Sequence, residues 1–258
     1  MDKNDDQPQP KPTTNFGGFW YPDEARLSYI FSCLNVGTVP SGYFLRNMNS
    51  KTLIPSSCAY GAIRMNPILA SISVNTAITT LDISETNLED ESIFYLCNMF
   101  KENYTIKDNN LVRNQFTSQY AKNLCDVLAS SAQLERIDLH GNKFCDKAAI
   151  LFSELISTSL NMTYLNLAYN DFGEIAIVLF GRALPEATSL VELDLSWNLF
   201  GLRTMRPFVN GIAENKNIQK LNLSSTALRG NESVLELDLS KNRISSESTA
   251  RDCSQTRR

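Results

Sequence analysis

Residues 136–144 read RIDLHGNKF, and the same order of apolar and polar positions returns as YLNLAYNDF at 164–172 and ELDLSWNLF at 192–200. Outward from that centre, LDISETNL at 81–88, KLNLSSTAL at 220–228 and ELDLSKNRI at 236–244 fall on the same template. One polar position keeps the beat. Thr86, Asn114, Asn142, Asn170, Asn198 and Thr226 follow one another in steps of 28 residues, as from 114 to 142 and from 142 to 170. Self-similarity at a fixed period of this length marks a repeat architecture. One step further back, at Cys58, an indistinct unit around Leu53 and Tyr60 keeps the spacing and loses most of the motif, as an atypical terminal capping repeat does.

Each unit contains two periodicities. Leu193 and Leu195 alternate with period two, whereas Phe144, Ala148, Leu151, Phe152, Leu155 and Ile156 recur near i, i+3 and i+4. A strand and a helix therefore share every repeat, and neither can bury its apolar face alone. Stacking the units solves this: the strands pair in parallel and the helices line the outside, bending the stack into a horseshoe with the sheet on its concave side. The expected fold is an α/β leucine-rich-repeat solenoid. Its expected organisation is a disordered segment over residues 1–22, a helical cap over 23–48, repeats over 49–244 and a tail over 245–258.

The recurrent Asn has a structural reading. Its amide can satisfy backbone groups in the turn that leaves the strand, forming a ladder along the stack. Thr86 and Thr226 offer only a hydroxyl, so the ladder should weaken at both ends of the regular array. Asn109 occupies a position held elsewhere by Leu165 and Leu193, where an unpartnered buried amide would cost about 1–3 kcal/mol and distort the repeat locally. The six cysteines, at 33, 58, 97, 125, 145 and 253, show no CxxC spacing, so neither a zinc site nor a disulfide framework is indicated. Cys97 and Cys125 are 28 apart, but packed helices hold equivalent positions about 8–10 Å apart, too far for a disulfide.

Composition narrows the function classes. Twenty-four Lys and Arg against 28 Asp and Glu leave a net charge of −4, which supplies no electrostatic attraction to nucleic acid or an anionic membrane. The start MDKNDD lacks the basic and apolar regions of a signal peptide, and no apolar run approaches the roughly 18 residues of a membrane helix. The expected location is cytoplasmic, with reduced thiols. Sequons at Asn103, Asn161, Asn222 and Asn231 are then read as coincidences.

LNVGTVPSGYFLR at 34–46, LERIDLHGNKFCDKAA at 134–149 and LVELDLSWNLF at 190–200 resemble the cap and internal repeats of the leucine-rich repeat-containing 74 proteins. These are built from ribonuclease-inhibitor-type repeats, and the resemblance covers roughly residues 27–245. It implies an interaction protein with no established enzymatic activity or ligand, and no cofactor is expected. The chain departs from that family at its end. From Thr226 to Asn242 the step is 16 rather than 28, and the sequence closes as RISSESTARDCSQTRR, as if truncated. A parallel strand needs a crossover of a dozen or more residues, yet only the ten from Ser225 to Val234 precede Leu235. Because Asn242 and Ile244 keep the template, the last strand is expected to pair in parallel, the alternative being an antiparallel return through Arg229–Glu232.

Residues flanking and separating the buried strand positions face the concave side. The central column reads Asp82, Asn110, Asp138, Asn166, Asp194, Asn222 and Asp238, either a solvated polar face or a stripe for a basic partner. Beside it lie Arg136, His140, Tyr164 and Glu192, with Tyr169 and Trp197 one residue before their ladder Asn at the rim. Exposed Tyr, Trp and Arg are common interface anchors. The candidate partner-binding set is therefore Arg136, Asp138, His140, Tyr164, Asn166, Tyr169, Glu192, Asp194 and Trp197, for an unidentified protein partner and no small-molecule substrate. His140, the one histidine, lies two residues from Asp138, but an open sheet does not desolvate such a pair for acid–base work. One alternative is a regulator of a small GTPase, because activators of Ran share this kind of repeat; the short, mildly basic tail argues against it. The other is a truncated isoform with little independent function.

Overall fold

The computed structural model describes residues 14–16, 19–21, 24–55, 60–201, 204–224 and 237–238. β1 (Thr14–Phe16) and β2 (Phe19–Tyr21) pair antiparallel, with Asn15 opposite Trp20. Otherwise the expectation of disorder over 1–22 lies outside the described residues, as does the expected tail over 245–258. α1 (Glu24–Asn35) and α2 (Gly42–Asn47) come next. Ser41 joins them: its hydroxyl caps Phe44 N at the start of α2, and its own N–H donates to the Tyr29 hydroxyl at 2.8 Å.

Strand and helix then alternate. β3 (Thr52–Leu53) is followed by α3 (Gly61–Ser73), β4 (Thr80–Asp82) by α4 (Glu91–Glu102), and β5 (Asp108–Asn110) by α5 (Ala121–Ser130). β6 (Arg136–Asp138), α6 (Ala149–Thr158), β7 (Tyr164–Asn166), α7 (Glu174–Ala183), β8 (Glu192–Asp194), α8 (Met205–Glu214) and β9 (Lys220–Asn222) continue the series. β3 to β9 pair in parallel in sequence order, and every register step is one repeat, from Thr80 to Asp108 to Arg136 to Tyr164 to Glu192 to Lys220.

The core lies between sheet and helices. Leu88, Phe116, Phe144, Phe172 and Phe200 repeat at the repeat interval and are fully buried. Phe152 of α6 meets Phe144 and Phe172 edge-on at 5.0 and 5.6 Å, so the helical layer grips this spine. α7 and α8 approach more closely than ordinary side chains allow. A Cβ on Gly181 would sit 2.4 Å from the Phe208 Cα, and one on Gly211 would sit 1.9 Å from the Gly181 carbonyl oxygen. Cys97 and Cys125 are free, as their spacing suggests, and burial pushes the Cys97 thiol up to about 11.

The last strand corrects an expectation. β10 (Leu237–Asp238) pairs with β9 antiparallel, Leu237 opposite Leu221 and Asp238 opposite Lys220. The physical reason is length: the ten residues from Ser225 to Val234 are fewer than the dozen or more that a parallel crossover takes, whereas antiparallel pairing needs far fewer. The segment between these strands lies outside the described residues.

Asn109 is fully buried, and neither atom of its amide has a hydrogen-bond partner. Contrary to the expected distortion, β5 keeps register with Leu81 and Ile137 on either side of Asn109. Backbone pairing on both flanks fixes the strand, so the cost falls on the amide alone. Asn109→Leu should therefore raise the unfolding free energy by about 1–3 kcal/mol in urea denaturation. A loss of stability would show that the amide is satisfied in solution.

Candidate concave binding face

The face is organised by the ladder. Asn142 Nδ2 donates to its own repeat's Leu139 O at 3.0 Å and to the preceding repeat's Leu111 O at 3.2 Å, while its Oδ1 accepts from Phe116 N at 3.2 Å. Asn114, Asn170 and Asn198 repeat the pattern, accepting from Leu88, Phe144 and Phe172 N. Thr86 keeps only part of it, donating to Ile83 O at 2.7 Å and to Asn114 Oδ1 at 3.4 Å. The ladder is thinner there, as expected; Thr226 lies outside the described residues.

Each ladder residue fixes the turn before it. Glu85, Arg113, Gly141, Tyr169 and Trp197 all have φ between 50° and 70°, and each N–H still donates to the next repeat, Tyr169 to Ser196 O at 3.0 Å and Trp197 to Ser224 O at 3.0 Å. Only Gly141 takes this left-handed conformation without a steric penalty. The rim column therefore projects one side chain per repeat from a strained but tied backbone. Glu85 and Arg113 form an ion pair of 3.0 Å. Gly141 adds no side chain to the rim, and a Cβ there would sit 2.9 Å from Arg113 Cγ; the neighbouring His140 ring lies 4.7 Å from the Tyr169 ring. Tyr169 stacks on Trp197 at 4.6 Å with an interplanar angle of 17°. Tyr169 is 45% and Trp197 49% exposed.

The central column is knit together internally. Asn110, Asn166 and Asn222 donate to Oδ2 of Asp82, Asp138 and Asp194 at 3.1, 3.0 and 2.9 Å. Every member from Asp82 to Asn222 also accepts, through Oδ1, the N–H two residues on. Acid and amide alternate because each amide needs an acceptor one strand away. Burial raises Asp138 above the usual carboxylate range, although bonds from His140 N, Asn166 and the Tyr164 hydroxyl oppose the shift.

The candidate residues fall into separate groups. Arg136 places its guanidinium 3.9 Å over the Tyr164 ring and its Nε 3.9 Å from Asp108, and the Tyr164 hydroxyl donates to Asp138 at 3.4 Å. His140, Tyr169 and Trp197 form the rim group. Glu192 pairs with Lys220 at 2.9 Å, and Asp194 holds Ser196 Oγ at 2.7 Å; in register Glu192 lies opposite Tyr164 and Asp194 opposite Asn166, between the other two groups. The His140 ring lies on Tyr169, and the hydrogen bond to Asp138 comes from the His140 main chain. Sequence reading missed a depression of about 210 Å³ at the amino-terminal half of the face. It is lined by Thr52, Ile54, Thr80 and Asp108 together with Asp82, Asn110, Asp138, Arg136 and Tyr164. The step from Asp108 to Arg136 was the available signal, since one repeat interval puts two side chains side by side.

Residues 74–97 and 230–248 match the leucine-rich repeat family model. The fold is a leucine-rich-repeat solenoid. Among solved structures the chain is similar to a pollen receptor kinase 3, with 20% identity, 66% of this chain and 72% of that chain covered, and a TM-score of 0.41. It is also similar to actin-binding site 2 of leiomodin-1, with 16% identity, 67% and 91% covered, and a TM-score of 0.39. Among the described residues, no helix of the solenoid is long and apolar enough to cross a membrane.

Replacing Asp138 by Asn would set two amides against each other, so Asp138→Asn should cost about 1 kcal/mol of stability, while Asp171→Asn at an exposed position should cost under about 0.5. The pH dependence follows from the raised Asp138 pKa. The folded state holds that proton more tightly than the unfolded chain, so the group's contribution is greatest at low pH and falls as pH rises through the raised value. Burial raises Asp108 as well, so denaturation across pH should show a steeper decline in the parent than in Asp138→Asn; equal stabilities and parallel pH profiles would contradict the clamp.

Proposed function

We propose that the chain is a non-enzymatic scaffold that holds a protein partner on the concave face of its solenoid. The observation that carries this reading is the rim pair of Tyr169 and Trp197, stacked on each other and half open to solvent. Two large rings on backbone that the ladder fixes lose little conformational freedom when a partner covers them, which is what makes Tyr and Trp effective anchors. Arg136, Asp138, His140, Tyr164, Asn166, Glu192 and Asp194 supply a polar surround. Leucine-rich repeats commonly serve protein–protein interaction, which agrees with this role. The four described cysteines are free, which favours a reducing compartment, and we place the scaffold in the cytoplasm. The finer resemblance to the leucine-rich repeat-containing 74 proteins belongs to the same proposal.

A photo-crosslinking amino acid at position 197, compared with one at exposed Phe94 on α4, tests the face directly in cells. Position 197 should yield a discrete crosslinked partner that position 94 does not. Crosslinks confined to position 94, or equal at both, would remove the concave face as the docking surface.

A further inference from the structure

The concave face carries an uneven distribution of charge. Its cations are already engaged with carboxylates: Arg113 with Glu85, Arg136 with Asp108 and Lys220 with Glu192. Asp82, Asp138 and Asp194 have no cation within 4.0 Å among the described residues; their partners are neutral amides, the hydroxyls of Ser84, Tyr164 and Ser196, and backbone N–H groups. Three carboxylates are thus held on the sheet mainly by neutral hydrogen-bond donors, with His140 close enough to act electrostatically on Asp138, and burial disfavours the charged form of Asp138. An incoming cation would relieve that cost. The rings at the rim have the complementary property, because an aromatic face attracts a cation and a planar guanidinium can stack on it. The sheet already makes this contact internally, with Arg136 on Tyr164 at 3.9 Å.

We propose that the occupant of the concave face is an extended, arginine-bearing segment of the partner protein. One guanidinium lies against the open surface of Tyr169 and Trp197, close to Asp194, and a second basic side chain enters the depression beside Asp82 and Asp138. The proposal rests on the concave-face reading given above and adds the chemistry of the partner. Geometry sets the spacing. The depression is centred near β5 and Trp197 follows β8, about three strand spacings across and three residues along, or ~17 Å, which about five extended residues span.

The probe is a fluorescein-labelled peptide GRGSGSRG, titrated by anisotropy into the full chain, with versions carrying lysine, glutamate or proline at both arginine positions. The arginine peptide should bind, the lysine version more weakly, and the glutamate and proline versions not measurably. Affinity should fall on raising salt from about 0.05 to 0.5 M, because part of the attraction is electrostatic. Trp197→Ala should weaken binding about 5- to 30-fold, from the upper end of an exposed cation–π contact to a desolvated one. Trp197→Phe should restore part of the loss, and Phe94→Ala should change nothing. Equal binding of the glutamate or proline peptide, or indifference to Trp197→Ala, would overturn the proposal. So would self-association of the chain that Trp197→Ala abolishes, since the occupant would then be a second copy. Crosslinking from position 197 with no arginine-peptide binding sinks the basic segment and leaves the concave-face reading standing; crosslinking confined to position 94 sinks both.

Discussion

The shared hydrogen bonds of the buried asparagines hold the solenoid in its form. Asn142 Nδ2 reaches carbonyls of two repeats, and Asn142 Oδ1 takes the N–H of Phe116, whose ring is part of the core spine. A strand of three residues cannot define its own exit, but an amide that bridges two repeats defines two exits at once. The left-handed turns at Tyr169 and Trp197 exist because the residue after each is so anchored. Strand stacking, core packing and display of the rim rings are therefore consequences of one repeated contact.

A second asparagine series does comparable work on the outer side. Asn103 Nδ2 donates to Ile72 and Asn75 O of the preceding repeat, and its Oδ1 accepts from Thr105 and Ile106 N at the exit from α4. Asn215 does the same after α8, reaching Leu184 and Ala187 O. Ser131 and Ser159 stand at the matching places in between. Both Asn103 and Asn222, which begin sequons, thus spend their amides on internal bonds. With the alternating acid and amide column, this spends most of the hydrogen-bonding capacity of the concave face within the solenoid itself, and it leaves the open rim rings and the charge of the column's acids as what internal bonding does not use.

The repeat interval, the strand positions and the ladder were legible in the sequence because a polar residue recurring at fixed spacing in an apolar setting has few structural explanations. The location of Tyr169 and Trp197 followed from the same count. Other features were not legible, for identifiable reasons. The match of Asn242 and Ile244 to the template argued for one more parallel strand, but a template match records side-chain pattern and says nothing of whether the connection can reach; β10 pairs antiparallel instead. The tight contact of Gly181 with Gly211 depends on the distance between α7 and α8, which no spacing encodes. The depression beside Asp108 was hidden because Asn109 obscures the motif in that repeat.

The dependence of the site on the ladder can be read from the motion of one ring. With Trp20→Phe in the background, Trp197 is the sole tryptophan, since the chain has two. Time-resolved fluorescence anisotropy of Asn198→Ala, recorded well below its unfolding transition, should show fast local motion of Trp197 and loss of the near-ultraviolet dichroism of its stack with Tyr169, while the far-ultraviolet spectrum stays unchanged. A Trp197 as fixed and as dichroic as in the parent would contradict the claim that the ladder holds the binding face in place.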